Sequence, residues 1–497
     1  MKIRGSSLYL RWVSLFFISI ASILTVITLV QYSRLRNDYP PQMVIAGVPV
    51  GGLDPQTAAQ RLLQVYSLPV EIHYGDAIFQ LDPNLIGFQL NVESMLAAAD
   101  LQRTGASFWG GFWDYLWNRK SATAEVPLVE TFSEERLRAY LTSEIAARYD
   151  QPPIPAQPIP GSTEFQPGQP GQVIDVDRAV ILIGDAMRSP SQRVVQLAPV
   201  YTSAGRPSKQ NLQLLLQELI DQNGFDGIVG LYLIDLQIGE ELHFGYQAGQ
   251  NFSVNPDIAF TAASTMKIPI MVTAYQHFNG RLDDQTSALM LDMIQKSENT
   301  SADALMQIID QGRGPLVVTE TMQALGLQNT FLAGFFCNVF NPCPLLQIFH
   351  TPANQRTDVN ADPDIYNQTT PSDIGSLLED IYQCAQTGGG TLVAAFPGQI
   401  DQTACQQMIH FLEEDTLGAL IQAGVPEGTA VAHKHGWISN NGVINNFSDA
   451  AIVYTPGGNY VLTIYAYHPI QAVWDPVTHM FVDISKAIYN YFNLPTQ

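Results

Sequence analysis

Residues 12–30 carry no charged side chain, and three basic residues, Lys2, Arg4 and Arg11, precede them. Nineteen residues of helix reach about 28 Å, enough to cross a hydrocarbon core. There every backbone N–H and C=O must be satisfied within the segment, so a single apolar run can only be helical. The pattern predicts a transmembrane anchor over 12–31 behind a tail of residues 1–11. A cleaved signal peptide is the alternative, but its apolar region is usually shorter and ends at small residues. Leu29-Val30-Gln31-Tyr32 offers no such site. Arg34 and Arg36 follow the run, two basic residues against three, which places the N-terminus in the cytoplasm and the rest of the chain outside.

The 497-residue chain is too long for one ordinary core, so two domains are expected. Lys and Arg number 24 against 46 Asp and Glu, a net charge of −22, with only seven lysines. That balance, without a basic stripe, excludes nucleic acid as a partner. Cys337, Cys343, Cys384 and Cys405 lack the paired CxxC spacing of a zinc site. In an oxidising compartment Cys337–Cys343 and Cys384–Cys405 are the local pairing. The other two connectivities, and four buried thiols, stay open.

Residues 32–43, with Pro40-Pro41, read as an extended stalk, and an α+β module follows over 44–202. Asp54 stands where it caps a helix over 55–66, and Val70–Tyr74 with Ala77–Leu81 alternate like a hairpin about Gly75-Asp76. Further helices are expected over 92–102, 133–149 and 177–187. The aromatic stretch 108–117 (Phe-Trp-Gly-Gly-Phe-Trp-Asp-Tyr-Leu-Trp) reads as packing inside this module, with an amphipathic membrane-surface segment as the alternative. Nothing between 41 and 202 has catalytic spacing. Gly-Val-Pro-Val-Gly-Gly-Leu-Asp at 47–54 and Pro-Gly-Gln-Pro-Gly-Gln-Val-Ile-Asp at 167–175 resemble the peptidoglycan-binding domain of VanW-type surface proteins. That resemblance implies a module held against the cell wall; a stalk without a ligand is the bland reading.

After a linker at 203–209 the pattern changes. A helix over 212–222 and two antiparallel strands, 228–235 and 241–245, lead into Ser264-Thr265-Met266-Lys267. One helical turn brings Ser264 and Lys267 to the same face, and Ile268, Ile270 and Met271 would bury that helix. A serine hydroxyl needs a base within hydrogen-bond reach, and a desolvated lysine can serve. The tetrapeptide alone is weak, since it arises by chance about once in a few hundred residues. Its companions are Ser297-Glu298-Asn299 and, much later, Lys434-His435-Gly436-Trp437, leading into strands at 449–454 and 460–467 and a helix over 483–492.

These stations, in this order, resemble the penicillin-recognising serine hydrolases, most closely the class A β-lactamases, whose set is Ser-x-x-Lys, Ser-Asp-Asn and Lys-Thr-Gly. Arg313-Gly314-Pro315, Leu325-Gly326 and Thr369-Thr370-Pro371 look like further marks of that family, so the resemblance covers about 209–497. It implies an α+β fold of the β-lactamase/D,D-peptidase type over 210–497, an antiparallel sheet with helices on both faces. Residue by residue it implies Ser264 as the acyl-accepting nucleophile, Lys267 as base or proton relay, and Ser297 as proton donor toward the leaving nitrogen. Asn299 would hold the substrate amide and Lys434 would face the substrate carboxylate and hold down the protonation of Lys267. The N–H groups of Ser264 and Trp437 would form the oxyanion hole, with Gly436 letting substrate lie against the strand.

Three departures stand out. Glu298 replaces Asp, and His435 replaces Thr with a bulkier group whose charge can change near neutral pH. No glutamate occurs from Thr321 to Leu378, where the family carries the residue that activates the deacylating water. Asp362 or Asp364 could substitute. His433-x-His435 lacks a third ligand, so no metal and no cofactor are expected. The expected substrate is a β-lactam, opened through an acyl-Ser264 intermediate. The alternatives are a D-Ala-D-Ala peptidase acting on peptidoglycan stem peptides, favoured by the missing glutamate, and a non-catalytic wall-binding protein that keeps the fold.

Overall fold

The computed structural model describes residues 6–105, 107–119, 125–252, 254–337, 343–440 and 442–495. Lys2 and Arg4 therefore lie outside the described residues. The chain packs as two compact units: residues 1–153 with 170–203, and residues 154–169 with 204–497.

In the first unit the apolar run forms one helix, Ser6–Leu35. Its stretch Tyr9–Leu35 has a mean hydropathy of 2.5 with none of it buried, making it the one helix among the described residues long and apolar enough to cross a membrane. The helix Pro55–Tyr66 starts under Asp54, whose carboxylate accepts from the Gln56 and Thr57 amides. The hairpin Val70–Tyr74/Ala77–Leu81 is joined on its open side by Val194–Leu197, which runs parallel to the first strand. Asp175 caps the helix Val176–Arg188, whose buried residues Ala179, Val180, Ile183 and Met187 close the core over that sheet.

The aromatic stretch departs from expectation. It forms a nine-residue helix, Phe108–Leu116, with only Phe112 buried. Trp109, Trp113 and Trp117 are 63%, 55% and 68% exposed. Spacing explains the outcome: Phe108, Phe112 and Tyr115 form one stripe, and all three rings pack on Tyr32 of the apolar helix. The tryptophans, four residues apart, occupy the neighbouring stripe, which no other part of the unit covers.

The second unit is built on a six-stranded antiparallel sheet in the order Gln250–Asn251, Glu240–Gln247, Ile228–Asp235, Tyr460–Tyr467, Val443–Val453, Val431–Asn440. Ile228–Asp235 and Tyr460–Tyr467 are buried at every position, as a central strand covered on both faces must be. One face carries the helices Lys209–Gln222 and Trp474–Phe492, and the other carries Pro371–Thr387, Lys267–His277 and Asn299–Ile309. The C-terminal helix starts nine residues earlier than the apolar pattern predicts, because Pro476 falls in its first turn, where a missing N–H costs nothing. Residues 154–169, expected with the 44–202 module, pack with this unit, where Phe165 enters the core against Tyr491. Both local disulfides form, Cys337–Cys343 and Cys384–Cys405.

Candidate active site

Ser264 sits in a 3-10 turn, Ala263–Met266, that runs directly into the buried helix Lys267–His277. In a 3-10 turn residues i and i+3 nearly eclipse, so the Ser-x-x-Lys pair is aligned more directly than an α-turn would align it. Lys267 Nζ lies 2.8 Å from Ser264 Oγ. The turn is pinned from the neighbouring strand Asn367–Thr369: the Ala263 amide, at φ +49°, donates to Asn367 Oδ1 at 2.9 Å.

The second station arrives from the helix Asn299–Ile309 and the residue pair before it. Ser297 adopts φ +58°, a left-handed conformation that costs a non-glycine residue about 1–3 kcal/mol. It turns both its carbonyl (2.8 Å) and its hydroxyl (3.1 Å) toward Lys267 Nζ. Asn299 Oδ1 accepts from the same nitrogen at 2.9 Å. Four oxygens thus converge on one buried amine.

That amine is not a normal lysine. Lys267 is fully buried and its pKa falls from 10.5 to about 7, first because burial penalises the ammonium and second because Lys434 carries like charge. Asp303, Glu298 and Asp415 oppose the shift. An unprotonated amine 2.8 Å from a serine hydroxyl is what proton abstraction requires.

The third station lies on the edge strand Val431–Asn440. A Cβ on Gly436 would sit 2.8 Å from both the Ser264 amide nitrogen and Ser448 Oγ, so only glycine lets this strand close on Ser264. Lys434 is fully buried and pairs with Asp415 at 2.9 Å. His435 Nδ1 lies 2.7 Å from the same Asp415 oxygen, and its ring stacks on Trp437 at 4.9 Å. Burial would push the Asp415 carboxyl up, but the hydrogen bond from His435 and the Lys434 charge hold it well below the usual carboxylate range. Burial pushes the His435 ring down, against the pull of Asp415. Nδ1 is thus the ring nitrogen committed to Asp415. His433, one pleat away, is bonded to a different carboxylate, Asp449, at 3.0 Å.

A cleft of about 600 Å³ opens over Ser264, lined among others by Asn299, Phe336, Asp364, Asn367 and Trp437. Asp364 lines it and Asp362 does not. The Asp364 carboxylate accepts from the Tyr366 amide at 2.9 Å, and burial raises its pKa. A second cleft, of about 500 Å³ beside Arg206 and Phe492, holds Ser208, but that hydroxyl is committed to capping a helix. It contains no paired base and nucleophile.

Three polar residues of this site escaped the sequence reading. Asp303 accepts from the Phe336 and Cys337 amides at 2.8 and 2.9 Å, fixing the segment that lays Phe336 5.2 Å from Lys267 Nζ. It stands one turn beyond Asn299, a spacing that could have flagged it. Asn367, three residues before Thr370, had a weaker signal. Asp415 had none, because nineteen residues separate it from Lys434.

The model of the β-lactamase enzyme family matches residues 211–290 and 285–492. Among solved structures the chain is similar to PBP-A, at 20% identity over 57% of this chain and 96% of that one, with a TM-score of 0.40. A β-lactamase from Desulfarculus baarsii matches at 18% identity over 58% and 100% of the two chains, TM-score 0.41. One from Sphaerobacter thermophilus matches at 17% identity over 58% and 99%, TM-score 0.41. No curated protein matches the chain.

Proposed function

The chain belongs to the β-lactamase enzyme family, and on that premise we propose that it is a serine hydrolase acylated at Ser264 by β-lactams, which it opens. The observation that carries this reading is the 2.8 Å contact between Ser264 Oγ and a buried lysine whose pKa lies near 7. Lys267 takes the hydroxyl proton as Oγ attacks the lactam carbonyl. The amide N–H groups of Ser264 and Trp437 hold the oxyanion. Ser297 passes a proton to the lactam nitrogen as the C–N bond breaks, leaving the acyl-enzyme. Asn299 holds the substrate's side-chain amide. Lys434 and His435 meet its carboxylate, with Gly436 giving it room along the strand.

Deacylation is the step where this chain differs. Asp364 is the carboxylate in the cleft, and we assign it the activation of water, at a shorter reach than a glutamate would have. A slow second step suits an enzyme whose natural substrate is a D-Ala-D-Ala stem peptide, and the penicillin G acyl-enzyme of PBP-A gives a precedent for such a fold bound to a β-lactam. The apolar helix serves as the membrane anchor that holds the enzyme outside the cell. The 44–202 turns, by their sequence motifs, serve a wall-facing module.

Incubating the chain with a penicillin and following its intact mass over time tests the assignment, with Ser264→Ala as control. An adduct that forms and clears as hydrolysed drug accumulates supports β-lactam turnover. One that forms and persists supports the peptidase reading. No adduct on the folded protein would refute acylation by β-lactams.

A further inference from the structure

We propose that the helix Phe108–Leu116, with Trp117 just past its end, is an interfacial seat that lays the N-terminal unit on the outer surface of the lipid bilayer. The proposal rests on the reading of Ser6–Leu35 as a membrane anchor.

Three observations carry it. The first is where the helix docks. Its packing stripe meets the apolar helix at Tyr32, with ring centroids 5.5, 5.7 and 5.5 Å from Phe108, Phe112 and Tyr115. Tyr32 lies two residues beyond the apolar run that ends at Val30. A spanning helix brings that residue to the boundary between acyl chains and headgroups, so whatever packs on it lies at the same depth.

The second is what the helix leaves open. Trp109, Trp113 and Trp117 are each more than half exposed, and Leu116 is 40% exposed beside them. Together the three indoles offer about 400 Å² of aromatic surface, at the scale where an exposed patch marks an interaction site. Tryptophan is the side chain that settles at a membrane boundary, with an apolar body and an N–H that still reaches polar groups.

The third is the charge around it. Arg36 lies over the Phe108 ring at 5.2 Å and Arg34 is exposed two residues before it, while Arg119, exposed beyond the tryptophans, pairs with Asp114 of the aromatic helix at 3.7 Å. In a chain of net charge −22 the two arginines at the Tyr32 end, Arg34 and Arg36, fit phosphate headgroups. A second protein copy would need a complementary apolar face. A bilayer needs only depth, and the anchor supplies it.

The full chain would be placed at one copy per lipid nanodisc, with acyl chains brominated near the glycerol end to quench nearby indoles. Comparing Trp12→Phe with Trp12→Phe/Trp109→Phe/Trp113→Phe/Trp117→Phe isolates the emission of the three helix tryptophans. That emission should fall at least twofold in brominated discs relative to unbrominated ones. Unquenched emission overturns the proposal, as does quenching-free shielding that appears only when two chains share a disc and so marks a second copy as the occupant. The emission of Trp12, taken from wild type against Trp12→Phe, reports the anchor separately. If Trp12 is quenched and the helix tryptophans are not, the seat fails and the anchor stands; if Trp12 is not quenched, the anchor reading itself fails.

Discussion

In the proposed mechanism Lys267 is the group on which acylation turns, and its titration gives the sharpest test. Moving its pKa from 10.5 to about 7 means that the folded site disfavours the ammonium by about 5 kcal/mol. Burial contributes most and the Lys434 charge comes next, against the opposing carboxylates. At pH 7 about half of the molecules then hold a neutral amine beside Ser264, and at pH 5 about one in a hundred. The second-order constant for acylation by a penicillin should fall about fifty-fold over that interval, approaching one decade per pH unit below about pH 6, and level off above about pH 8. Rapid mixing, acid quench and intact mass would measure it. Lys267→Gln should remove the pH dependence and slow acylation by about 10²–10⁴-fold. His435→Thr should keep the slope; a slope that vanishes in that variant would assign the titration to the ring. A wild-type profile flat from pH 5 to 8, or one centred above pH 9, would refute Lys267 as the base. Stability supplies a second readout. The unfolded chain takes up this proton first, so the contribution of Lys267 worsens as pH falls from 10.5 to 7 and is unchanged below 7.

Gly436→Ala should slow acylation at least tenfold and lower the stability of the catalytic unit by about 1–3 kcal/mol, read from acylation rate and denaturant midpoint, because its Cβ meets the Ser264 amide nitrogen at 2.8 Å. Asp415→Asn should destabilise by about 3–5 kcal/mol at pH 7, since it leaves Lys434 buried without its counter-charge. The Asp415 pKa is depressed on folding, so its contribution is fully present above the unfolded value near 4 and is lost progressively as pH falls from there through the much lower folded value; unfolding curves of wild type and variant should draw together over that fall. Removing the Cys384–Cys405 bridge by a double alanine substitution opens a loop of 21 residues and should cost about 3 kcal/mol, measured as a fall in the denaturant midpoint. Asp364→Asn should leave acylation intact and lengthen the life of the penicillin adduct at least tenfold, followed by mass. An unchanged lifetime would move water activation elsewhere.

Much of this protein follows from local rules that act along the chain. The charge-free run forms one helix, which satisfies its backbone groups within the segment, and Asp54 and Asp175 start helices because their carboxylates reach amides two or three residues on. The stations at 264–267, 297–299 and 434–437 were legible because each holds its chemistry within three or four residues, and their order along the chain carried the family. What sequence could not decide was how distant segments meet. The charge state of the third station depends on Asp415, which comes to Lys434 and His435 only when a helix end and an edge strand are packed together. The choice of Asp364 over Asp362 for the cleft is a matter of which carboxyl a loop turns inward. The aromatic helix posed the same difficulty: its composition favoured a core and left a membrane surface open, and only its docking on Tyr32 shows which stripe is covered. Local propensity is a property of neighbours in sequence, whereas burial, pairing and pKa are properties of neighbours in space.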